Sequence, residues 1–141
     1  MFNILNYGAK GDGITLNTVA IQSAIDACYK NGGGRVTIPA GKFLTGTIVL
    51  KTNVELHLEA GALVLGSTVI SDYLDLDDGH NLTLYNTPII FSYYRRPLIY
   101  AESCENISIS GTGRIDGQGG FMVNFPNEGD ETNSRPILII M

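Results

Sequence analysis

The chain has 141 residues, of which 44% are apolar, enough for one domain with its own core. Only 16% are charged and 17 are Gly, a balance that fits turn-rich β structure and excludes a coiled coil. The net charge of -5, with basic residues scattered along the chain, argues against nucleic acid as a partner, because phosphate binding needs a basic surface.

Phe2-Asn3-Ile4-Leu5 reads as a short strand, followed by a Gly-rich loop, Gly8 to Gly13. From Asn17 to about Asn31 the spacing is helical, with Ile21, Ala24, Ile25 and Cys28 on one face and Val19 at its edge. Asn17 is the expected N-cap and Gly32 the expected stop. Cys28 lies on the apolar stripe, so a buried free thiol is expected, and with only Cys104 besides there is no disulfide scaffold.

After the helix the period changes to two. Val36 and Ile38 alternate with Arg35 and Thr37 up to Pro39, and Val54, Leu56 and Leu58 alternate with Glu55, His57 and Glu59. Shorter apolar runs lie between them at Phe43 to Thr45 and Ile48 to Leu50, broken at Gly46. A pattern of Asn, apolar, polar, apolar recurs at Asn53, Asn81 and Asn106, each time followed by a turn and a second short strand. Such spacing fits solenoid coils, and Asn suits a corner before a strand because it tolerates left-handed backbone. Ser67 to Gly79 and Asn124 to Arg135 read as polar excursions. Pro136 to Met141 reads as the start of a core strand that a further coil would cover.

Several stretches could carry chemistry. Gly8-x-x-Gly11-x-Gly13 has the wrong spacing for a phosphate loop and is assigned to turn geometry. Gly111 to Gly120 is the densest Gly cluster. It is read first as a tight coil corner and second as a loop beside a sugar site, with Asp116 and Gln118 as polar contacts. Asp72, Asp75, Asp77 and Asp78 lack calcium-loop spacing and read as a solvated acidic loop. Arg95 and Arg96 form a basic spot. Arg96 is the candidate to grip an acidic sugar's carboxylate, against a corner salt bridge to Glu102 or Glu105. His57 and His80 are read as surface residues, and no Ser/His/Asp set stands out. No apolar run reaches bilayer-spanning length, no signal peptide is visible, and no metal, cofactor or membrane partner is expected.

At this point a family becomes recognisable. FNILNYGAKGDG (Phe2 to Gly13), NTVAIQSAIDA (Asn17 to Ala27), GGGRVTIPAG (Gly32 to Gly41), LTGTI (Leu44 to Ile48), LIYAE (Leu98 to Glu102) and GRIDGQG (Gly113 to Gly119) resemble the polygalacturonase-like glycoside hydrolases of the pectin-lyase-like superfamily. The resemblance implies an all-β fold, a right-handed parallel β-helix with an N-terminal capping α-helix. It also implies inverting hydrolysis of galacturonosyl linkages. Of the family's four catalytic motifs, Asn-Thr-Asp, Gly-His-Gly and Arg-x-Lys are absent, and Asp-Asp occurs only at Asp77-Asp78, out of context.

No catalytic residue is therefore carried over. Residues 1–141 are expected to form the N-terminal part of one β-helix domain, with the cap helix at about 17–31, coils at about 35–141 and the catalytic residues beyond Met141. The expected partner of the parent protein is a pectin-type polysaccharide or oligogalacturonide, and its expected location is secreted or periplasmic. The fragment itself is expected to be inactive and to self-associate through its uncovered last coil. The alternative is a non-catalytic β-helix module of a tailspike or adhesin.

Overall fold

The computed structural model describes residues 2–74, 83–84, 87–88, 97–118 and 137–140. The chain opens with β1 (Phe2–Asn3), a 3-10 turn over Ile4–Tyr7, β2 (Asp12–Leu16) and helix α1 (Thr18–Lys30). A first coil follows: β3 (Gly34–Ile38), β4 (Gly41–Thr45) and β5 (Ile48–Val49). The second begins with β6 (Val54–Leu58) and β7 (Ala62–Gly66). After an excursion holding β8 (Thr83–Leu84) and β9 (Thr87–Pro88), it ends with β10 (Pro97–Tyr100). The third coil is β11 (Ser108–Gly111), β12 (Arg114–Asp116) and β13 (Ile137–Ile140).

Each strand of the coils pairs in parallel with its counterpart one coil away. Sheet A runs β1-β3-β6-β11, sheet B runs β2-β4-β7-β12, and sheet C runs β5-β10-β13. This is a parallel β-helix, in which successive parallel strands of a sheet take the right-handed crossover that chain twist favours. Helix α1 stands in coil order where the first strand of sheet C would be. Its stripe of Ala20, Ile21, Ala24, Ile25 and Cys28 is buried and closes the open end of the core. Burying each large aliphatic of that stripe is worth about 1.5–3 kcal/mol. The core beneath it is built by the inward residues of the coils: Val36, Ile38, Phe43, Ile48, Val54, Leu56, Leu58, Val64, Leu98 and Ile99. Among the described residues no helix is long and apolar enough to cross a membrane.

Four expectations need correction or refinement. The first strand stops at Asn3, because the Asn3 side chain accepts from the Leu5 amide and starts a 3-10 turn. Part of the expected Gly-rich loop is strand β2. Its apolar residues, Ile14 and Leu16, face outward, so it lacks the buried alternation that marks a strand.

Asn17 holds the N-cap position but makes no cap hydrogen bond. Instead it is buried. Its side chain accepts from the Lys10 amide and donates to the carbonyls of Lys10, Thr15 and Leu44, tying the opening loop to β4. The described strands of the Asn81 copy do not join the three coil sheets. Asn81 lies outside the described residues, and Thr83–Leu84 after it pairs antiparallel with Thr87–Pro88 in a separate two-stranded sheet.

Candidate functional site

The three coils differ most at one corner, where sheet B passes into sheet C. In the first coil β4 reaches β5 through Gly46 and Thr47 alone. In the second the chain leaves after Gly66 and returns at Pro97, and in the third it leaves after Asp116 and returns at Ile137. Long insertions on a rigid scaffold are where binding and catalytic groups concentrate.

The two departures are stacked on each other. The Gln118 amide donates to the Gly66 carbonyl at 2.7 Å, and the Asp116 carboxylate accepts from the Gln118 amide N–H at 2.8 Å. Thr47 fastens the first excursion at both ends: its hydroxyl donates to the Pro97 carbonyl at 2.6 Å and accepts from the Leu74 amide at 2.7 Å. The Tyr73 hydroxyl donates to the Ser67 carbonyl at 2.6 Å, and burial, aided by Asp72, pushes its pKa upward. An open groove of about 660 Å³ lies beside this corner, between α1 and the start of the excursion. Among the described residues its one cation, Lys51, is paired with Asp26 at 2.7 Å and sits 5.5 Å from the centre of the Tyr29 ring. Burial raises the Asp26 carboxyl pKa, but the hydrogen bonds from Lys51 and Gln22 more than offset it and leave the group below its usual value.

The outer face of sheet B leads into the same corner. Register puts Lys42, Leu63 and Arg114 in one row and Leu44, Leu65 and Asp116 in the next. Lys42, Arg114 and Asp116 are exposed, and the three leucines are half-buried.

The sequence candidates therefore divide. Asp116 and Gln118 come together at the corner, and both make hydrogen bonds that shape it. Gln118 holds a positive φ of 54°, which fits the tight-corner reading of this Gly-rich stretch. Arg96, with Arg95, Asp75, Asp77, Asp78 and His80, lies outside the described residues.

A side-chain set that the sequence did not reveal lies on the outer face of sheet A. His57 Nδ1 and Ser110 Oγ are 2.8 Å apart, Ser110 Oγ donates to Glu55 Oε2, and Arg35 Nε donates to Glu55 Oε1 at 3.0 Å. A nucleophilic serine must give its proton to the imidazole. Here the proton points to Glu55, so His57 donates to the serine oxygen. The Ser110 hydroxyl and the Arg35 guanidinium also hold the Glu55 carboxyl below its usual range, which weakens it as a base. The set is thus a cross-strand ladder. Only coil register could have revealed it, since Glu55 and Ser110 are 55 residues apart. Among the described residues no three His, Cys, Asp or Glu side chains form a group that could hold a metal.

A family described as Rhamnogalacturonase A/epimerase, pectate lyase-like matches residues 1–62. An exo-poly-α-D-galacturonosidase of Dickeya chrysanthemi is 42% identical over 120 residues, covering 84% of this chain and 20% of the relative. The structure of a putative glycosyl hydrolase from Parabacteroides merdae superposes with a TM-score of 0.74 at 31% identity, over 97% of this chain and 56% of that one. The family 28 exopolygalacturonase of Yersinia enterocolitica gives 0.68 at 41% identity, over 82% of this chain and 20% of that one.

Fold and matches together define a parallel β-helix protein of the pectin-lyase-like superfamily. Within it the chain is polygalacturonase-like. It spans about a fifth of the length of its curated exopolygalacturonase relative.

Proposed function

We propose that this chain builds the first coils of a secreted or periplasmic hydrolase that cleaves pectin-type polygalacturonate, with the bond-cleaving residues supplied outside these 141 residues. The observation that carries this reading is the 42% identity to an exo-poly-α-D-galacturonosidase over 84% of the chain. The two departures stacked at the B–C corner support it, since Gly66 and Gln118 place both insertions at the same edge of sheet B. Inverting hydrolysis needs an acid and a base carboxylate roughly 6.5–9.5 Å apart across the scissile bond. On a β-helix such a pair would project from neighbouring coils of one sheet face. The role of the present coils is to close the core under α1, fix the strand register and carry one end of that face. In isolation, the final strands of sheets A and B, β11 and β12, offer edges that a second copy would pair with.

The test is to incubate the purified chain with polygalacturonate and follow both binding and new reducing ends. Binding without release of reducing ends is expected. Release above a buffer blank would overturn the scaffold role, and absence of any binding would overturn the substrate.

A further inference from the structure

We infer that Lys42 and Arg114 form a carboxylate-binding pair on the outer face of sheet B that selects an acidic polysaccharide over a neutral one. The inference rests on the proposed substrate class and adds to it the residues that read the substrate's charge.

Lys42, Leu63 and Arg114 occupy matching positions on three successive strands of sheet B. Strands lie about 4.8 Å apart, so the two cations stand about 10 Å from each other along the solenoid axis. Both are exposed. The floor between and beside them is aliphatic: Leu63 in the same row, with Leu44 and Leu65 in the next. Such a floor suits the C–H faces of pyranose rings. The cationic stems can lie over it while their heads stay in water, where a nearby apolar surface strengthens their attraction for a carboxylate.

Two acids border this row, and each is oriented by other donors and makes no ion pair with Lys42 or Arg114 among the described residues. Asp12 pairs in register with Lys42, but its carboxylate accepts from the amides of Ile14 and Thr15 and from the Thr15 hydroxyl. Asp116, two residues after Arg114, accepts from the Gln118 backbone N–H. The ion pairs among the described residues involve Arg35, Lys51 and His57, and neither Lys42 nor Arg114. Arg114 also stands on the strand from which the second excursion departs, two residues before that departure.

The experiment measures binding of the 141-residue chain to polygalacturonate and to fully methyl-esterified pectin, by calorimetry at low salt. The variants are K42Q/R114Q, the charge-keeping K42R/R114K, and K30Q as a control that removes one cation from the end of α1. Wild type should hold polygalacturonate about tenfold more tightly than the ester, and K42Q/R114Q should lose about that factor. K42R/R114K and K30Q should stay within a few-fold of wild type. All four proteins should melt alike, since both positions are on the surface. If K42Q/R114Q binds polygalacturonate as well as wild type, the inference falls and the substrate reading stands. Loss in K42R/R114K equal to that in K42Q/R114Q would also overturn it, because charge would then not be what is read. If wild type binds neither glycan, the substrate reading itself fails.

Discussion

Asn106 Nδ2 donates to Asn53 Oδ1 at 3.1 Å, and the two residues occupy the same corner of successive coils, both with left-handed backbone (φ 55° and 64°). The column continues to Gly33 in the coil before (φ 105°), where any Cβ would lie 2.4 Å from the Asn53 carbonyl. Asn is thus present for two reasons: it accepts the left-handed conformation, and its amide joins the coils. Replacing Asn53 by Ala removes both and should destabilise the chain by about 1–2 kcal/mol. Replacing it by Gly keeps the conformation, loses only the hydrogen bond, and should be milder. Urea unfolding of the two variants checks this order. If Gly proves worse than Ala, backbone conformation is not what Asn53 contributes.

Gln22 treats the edge of sheet C as a neighbouring strand would. Its side-chain amide donates to the Val49 carbonyl at 3.0 Å, and its side-chain oxygen accepts from the Val49 amide at 2.9 Å. Strand β5 is the edge of its sheet, so the helix cap also blocks a surface on which another chain could pair. Gln22→Ala should lower stability by about 1–2 kcal/mol and increase association, read by melting and light scattering. Gln22→Glu should be at least as damaging, because a carboxylate cannot donate to the Val49 carbonyl. A Glu variant as stable as wild type would show that the donated bond is dispensable.

The same contacts show what could be read from the sequence. Helix α1 was legible because Ile21, Ala24, Ile25 and Cys28 repeat at helical spacing and all are buried. The Asn corner was legible at Asn53 and Asn106 because only a few residue types tolerate that backbone. The coil length was not. Arg35 and Glu55 are neighbours 20 residues apart, whereas Asn53 and Asn106 are neighbours 53 apart because an excursion intervenes. Asn81 fell between them at a plausible spacing and suggested a coil. The row of Lys42, Leu63 and Arg114 and the ladder of Arg35, Glu55, Ser110 and His57 depend on that register, so no local pattern announces them.

Thr47 offers a test of the corner itself. It is buried, and its single hydroxyl serves the Leu74 amide and the Pro97 carbonyl together, on opposite ends of the first excursion. Thr47→Val keeps the shape and leaves two polar backbone groups without that partner. A loss of about 1–3 kcal/mol is expected, with faster proteolysis within the excursion than in the rest of the chain. Thr47→Ser should preserve the fastening. Uniform proteolysis in the Val variant would show that Thr47 supports the core and not the corner.

Acid should weaken the fold over a defined window. Hydrogen bonds from the Thr15 amide, the Thr15 hydroxyl and the Ile14 amide hold the Asp12 carboxyl at about 2, against 3.8 for a free group. Glu55, through Ser110 and Arg35, is shifted in the same direction. Between those two values the unfolded chain takes up the Asp12 proton and the folded chain does not, so unfolding gains as pH falls. The contribution is complete above about pH 4 and is lost by the time pH has fallen through about 2. The melting temperature should therefore hold from neutral pH to about pH 5 and then drop. Asp12→Asn should melt lower than wild type at pH 7, with the gap closing as pH approaches 2. If the gap stays constant across that range, the charge on Asp12 contributes nothing to the fold.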